Sequence, residues 1–79
     1  MGISRITAYV IASNEVKTYA VGPVEGKWQG IIAHADSHPH HPGMVIISSD
    51  YYFVSQEAAE QAMNETVEQL RKAVAEETK

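Results

Sequence analysis

The sequence contains no cysteine, which excludes a disulfide staple, a thiolate nucleophile and a thiolate metal site. It is also poor in positive charge. Six Lys and Arg stand against ten Asp and Glu, for a formal net charge of −4. A domain that grips duplex DNA needs clustered cations to neutralise phosphates, so this balance argues against duplex DNA as a partner. No apolar run approaches the ~20 residues that span a bilayer. The first residues, Met1-Gly2-Ile3-Ser4-Arg5, lack the apolar core of a signal peptide. Ile6 stands where a myristoylation signal at Gly2 would want Ser or Thr. The expectation is a soluble, cytoplasmic protein with no membrane partner.

What is present fits one folded domain spanning residues 1–79, with 44% hydrophobic and 20% charged residues. A chain this short buries only about 60% of the surface that its unfolded form exposes, so its stability margin is thin. In Ile3 to Ala12, apolar residues alternate in a way that reads as a strand, with Ile6, Ala8 and Val10 opposing Tyr9 and Ile11. Ser13-Asn14-Glu15 then reads as a hairpin turn. Val16–Val21 and Lys27–His34 read as the next two strands, separated by Gly22-Pro23-Val24-Glu25-Gly26. Gly30, inside the third strand, marks a bulge or a close approach of another backbone. Residues 35–43 form a loop, because Pro39 and Pro42 forbid both helix and central strand. Met44–Ser48 is a fourth strand, Ser49-Asp50 a break, and Tyr51–Val54 a further extended stretch.

The C-terminal third carries the clearest pattern. Ser55 is an N-cap and Glu57 suits the positive end of the helix that follows. Ala59, Ala62, Met63, Thr66, Val67, Leu70, Ala73 and Val74 recur at helical spacing from 56 to 78. The fold class is therefore α+β: an antiparallel sheet of three to four meandering strands, packed on one face by a single C-terminal amphipathic helix. In architecture, Gly26-Lys27-Trp28 opening a strand and Phe53-Val54-Ser55 leading into Glu57-Ala58-Ala59 resemble the arm-type DNA-binding domains of tyrosine integrases. Those modules read DNA through a basic sheet, which the acidic balance here does not supply.

Three functional expectations follow. One helix covers one face of a small sheet, yet both faces of most strands carry large apolar residues, and leaving several wet would forgo several kcal/mol at ~25 cal/mol per Å². The leading expectation is a non-enzymatic domain that works by association, as a homodimer with sheet faces or edge strands joined, or with a protein partner. Tyr9, Ile11, Ile31, Val45 and Ile47 are its candidate interface residues. The second expectation is metal binding. His34, His38, His40 and His41 fall within eight positions together with Asp36, and His38-Pro39-His40 in extended backbone points both rings one way, as Zn, Ni or Cu would require. The third is a weak single-stranded nucleic-acid binder that stacks bases on Trp28, Tyr51 and Phe53. No catalytic or cofactor-binding residue emerges. Carboxylates such as Glu60, Glu65 and Glu68 lie on the polar side of the helix, and Gly22 to Gly26 lacks the Lys-Ser/Thr of a phosphate loop.

Overall fold

A computed structural model describes residues 4–35 and 44–77. The elements run α1 (Arg5–Ser13), β1 (Val16–Val24), β2 (Lys27–His34), β3 (Val45–Phe53) and α2 (Gln56–Glu77). The three strands form one antiparallel sheet in the order β1-β2-β3, and the C-terminal helix packs on it. The α+β class, the sheet and its C-terminal helix are as the sequence predicts. The first segment is not: it is a helix, so the fold has two helices among its described residues.

The cause lies in residues 4–14. Ser4 is extended and its Oγ accepts the Thr7 N–H at 3.2 Å, which caps one orphan donor of α1. Ala8, Ile11 and Ala12 then fall three and four apart, a helical stripe that Thr7 and Val10 flank. At the other end the Asn14 Nδ2 donates to the Val10 carbonyl at 2.8 Å, closing one orphan acceptor. Asn14 therefore ends a helix rather than turning a hairpin. Ile11 becomes fully buried and Ile6 stays 78% exposed.

β1 and β2 pair in a regular register from Val16↔His34 to Val21↔Gln29. A bulge at Gly22-Pro23 follows, and the pairing resumes at Val24↔Lys27. Glu25 (φ 51°) and Gly26 (φ 77°) both take positive φ, the combination that a two-residue type I′ hairpin turn requires. β3 is different. While β2 advances five residues from Trp28 to Ala33, β3 runs eight from Phe53 to Val45, so β3 carries three extra residues. The stretch read as a strand, a break and a second extended piece is thus one bulged strand. At its centre the ladder is patched by side chains: Gln29 Nε2 donates to the Ser49 carbonyl and the Gly30 N–H donates to Ser49 Oγ, each at 2.8 Å. The bulge at Ile46 lets both Ile46 and Ile47 pack on the core.

α2 starts at Ser55, whose Oγ accepts the Ala58 N–H at 3.0 Å. It lies about equally on β1 and β2 and barely on β3. Met63 and Val67 meet Ile32 and Ile11 in the core, with Val16, Ile46, Ile47, Phe53 and Leu70 around them. Gly30 leaves room for Met63: a Cβ at Gly30 would stand 2.7 Å from Met63 Cγ. α1 runs antiparallel along the C-terminal part of α2, with Arg5 and Tyr9 reaching Glu77 and Arg71 reaching Asn14.

Arg5 Nη2 donates to Glu77 Oε1 at 3.1 Å and the Tyr9 hydroxyl donates to Oε2 at 3.2 Å. The Arg5 bond first, then the Tyr9 bond, hold the Glu77 carboxyl below the usual carboxylate range. Because the folded pKa lies below the unfolded one, the anchor contributes above the unfolded pKa and is lost as pH falls through the folded one. In an NMR titration from about pH 6 to about pH 3, the Glu77 carboxyl is expected to protonate at lower pH in the wild type than in Arg5→Ala. Equal midpoints would show that the Arg5 contact is not held in solution.

Candidate binding groove

The faces of the sheet follow from its register. Val16, Thr18 and Ala20 of β1, and Trp28, Gly30 and Ile32 of β2, turn toward α2, as Val16 in the core, the Thr18 contact with Asn64 and the Met63 contact at Gly30 show. Lys17, Tyr19, Gln29, Ile31 and Ala33 turn to the other face, where Lys17 Nζ lies 5.9 Å from the Tyr19 ring centroid.

The candidate interface residues do not come together on this open face. Ile11 is buried in α1 and Ile47 packs on the core beside Ile32. Tyr9 lies on α1 beside Glu77. Only Ile31 and Val45 belong to the open face, and Ile31 is only 7% exposed between its cross-strand neighbours Tyr19 and Ser48. Much of the apolar surface that seemed to need a cover is thus covered already. A helix where a strand was expected removes two large residues from the sheet, and the Ile46 bulge turns Ile47 inward.

The proposed stacking platform is divided as well. Trp28 pairs with Phe53 on the covered face, whereas Tyr51 pairs with Gln29 on the open one. Of the histidine set, His34 ends β2, half-buried, with its backbone N–H donating to the Met44 carbonyl at 2.9 Å. Asp36, His38, His40 and His41 lie outside the described residues. Among the described residues no three His, Asp or Glu side chains converge as a metal site would require.

The geometry that does converge lies along β1. The Ala35 N–H donates to the Glu15 carbonyl at 3.0 Å. In an antiparallel ladder, residues alternate between bonding to the partner strand and pointing away. Lys17, Tyr19 and Val21 therefore bond to β2, and Val16, Thr18 and Ala20 direct their N–H and C=O groups outward. His34 is consistent with this phase, since its N–H turns to the β3 side. None of the three outward-pointing residues has a backbone partner across that edge among the described residues.

Beside this edge runs α2, and between them lies an open groove of about 490 Å³. Val16 and Val67 are its apolar floor, Thr18 and Asn64 bridge it by a side-chain hydrogen bond, and Glu68 and Arg71 are its charged rim; Lys17 also borders it, with its side chain turned to the opposite face. Arg71 Nη2 donates to the Asn14 carbonyl at 3.3 Å, which uses one of five guanidinium donors. No α1 residue lines the groove. The two sheet edges thus differ. β1 is regular from Val16 to Val21, whereas β3 is bulged three times, and bulges spoil an edge as a template for another strand.

Sequence reasoning missed Thr18, Asn64 and Arg71 as a group. The pattern shows Thr18 on a strand and Asn64 on a polar helix face, but which edge of the sheet the helix overhangs is a tertiary fact. No protein family, curated protein or solved structure that was compared matches the chain.

Proposed function

We propose that the chain is a non-enzymatic association domain whose binding surface is the outer edge of β1 together with the flank of α2. The observation that carries this reading is the unbulged backbone edge at Val16, Thr18 and Ala20, unpaired among the described residues and set beside a groove with an apolar floor. An extended polypeptide strand is the ligand such a slot accepts: its backbone completes the ladder, and its side chains meet Val16 and Val67 on one side. The Thr18 hydroxyl is held by Asn64, which suits it to shape the groove rather than to attack a substrate.

Ala20→Pro tests this directly. The Ala20 N–H points away from β2, so proline removes no bond of the sheet but denies a partner strand one donor. In gentle extracts of the native cell, wild-type chain is expected to run as a complex heavier than 8.7 kDa, and Ala20→Pro as the free chain with unchanged circular dichroism. Wild type running as the free chain in extract and in purified form would overturn the proposal.

A further inference from the structure

The same groove has the symmetry of its own partner. We infer that the strand it accepts is β1 of a second copy, paired antiparallel about a two-fold axis at Thr18. This inference rests on the association reading above and names the partner.

The backbone comes first. The outward-pointing residues of β1 are Val16, Thr18 and Ala20, so two copies can bond only through these positions. Placing the axis at Thr18 pairs Val16 with the second copy's Ala20, and Thr18 with the second copy's Thr18. Lys17 then stands opposite the second copy's Tyr19, repeating between chains the contact that Lys17 makes with Tyr19 within one chain. Moving the axis one residue to Lys17 sets two like charges face to face, which is unfavourable.

The helices agree with this placement. α2 packs on both β1 and β2 and flanks the β1 edge along the groove. Joining two β1 edges at about 4.8 Å then brings the two α2 helices side by side across the seam. Both helices sit on the same face of the resulting six-stranded sheet.

Charge is complementary at the two outer ends of the seam. Asn64, Glu68 and Arg71 line the groove, and Glu60 and Glu57 continue their spacing of three and four toward the start of α2. The stripe is acidic at its start and ends on Arg71. Thr18 lies under Asn64, so an axis at Thr18 passes near Asn64 and brings Arg71 of one chain opposite Glu57 of the other, within reach of Glu60. Glu68 meets the second copy's Glu60, a repulsion that Arg71, three residues on, lessens. β3, with its three bulges, offers no comparable seam.

Sedimentation equilibrium of the purified full chain, from micromolar to millimolar, tests the inference. The expected result is reversible conversion of an 8.7 kDa chain to twice that mass. Ala20→Pro and Arg71→Glu are each expected to weaken dimerisation by about tenfold or more with circular dichroism unchanged. Glu57→Arg combined with Arg71→Glu is expected to restore most of the loss, which a merely structural role for Arg71 would not do. A monomer at every concentration overturns the second copy as partner. If the native-cell complex still depends on Ala20, the groove keeps its role with a different strand; if no such complex exists, the association reading falls too. A dimer indifferent to both Ala20→Pro and Arg71→Glu would place the seam elsewhere and overturn the inference.

Discussion

Replacing Ile11 with alanine is expected to cost about 2–5 kcal/mol of stability. Ile11 is fully buried and packs with Ile32, Met63 and Val67, so truncation removes apolar contact and leaves a cavity under α1. A domain of 79 residues has a total stability of only about 4–12 kcal/mol. The loss is therefore a large fraction of the whole, and the melting temperature should fall by about 8 °C or more, at about 4–8 °C per kcal/mol. The matched control is Ile6→Ala. Ile6 is 78% exposed, and its truncation is expected to change stability by about 0.5 kcal/mol or less. Urea unfolding of the two variants measures the contrast. Equal losses would mean that residues 5–13 do not dock as the helix described.

The second large effect is expected at Gly30. An added Cβ would lie 2.7 Å from Met63 Cγ and 3.0 Å from its Sδ and Cε. Cγ is near the root of the side chain, so the methionine must rotate about χ1 or the helix must shift, and Met63 is a core residue only 7% exposed. Gly30→Ala should therefore destabilise by about 1–3 kcal/mol, although alanine recovers about 0.5–1 kcal/mol of backbone entropy that glycine loses in a strand. The clash has a specific remedy. In Met63→Ala the space is vacant, and adding Gly30→Ala to that background should cost about 1–2 kcal/mol less than it does in the wild type. A double-mutant cycle by chemical denaturation measures this coupling. Gly30→Ala that stabilises the wild type would show that α2 stands further from the sheet.

These two residues also show what the sequence could and could not disclose. Gly30 is legible as a bulge or a close approach of another backbone, because a glycine among Trp28, Ile31 and Ile32 has no local purpose, whereas the group that approaches is a side chain. That the approaching group is Met63 depends on where the helix crosses. α2 is legible almost residue by residue, since Ser55 caps it and Met63 and Val67 keep its period over six turns. β2 is equally plain, with Gly26 before it and Pro39 and Pro42 in the sequence beyond it. The segment around Ile11 is misread because its apolar residues satisfy both periods. Ile6, Ala8 and Val10 alternate, yet Ala8, Ile11 and Ala12 also form a helical stripe, and a short run cannot arbitrate. The Ser4 cap was the signal in favour of the helix. That misreading carries into the interface, because a strand at residues 3–12 puts Tyr9 and Ile11 on an open sheet face that they do not occupy. The groove itself has no signature in one dimension. It exists because α2 overhangs β1 and not β3, and because β1 stays regular from Val16 to Val21 while β3 is bulged three times, neither of which a pattern of apolar residues encodes.

The central claim is that the outward edge of β1 pairs with the same edge of a second copy, and amide hydrogen exchange resolved by NMR tests it most directly. The amides of Lys17 and Tyr19 bond to β2 and should be protected at any concentration. The amides of Val16, Thr18 and Ala20 should be protected in concentrated wild-type protein and lose that protection on dilution. In Ala20→Pro, Val16 and Thr18 should lose it even when concentrated. Fast exchange at Val16, Thr18 and Ala20 at every concentration, beside slow Lys17 and Tyr19, would mean a solvated edge and would contradict the account.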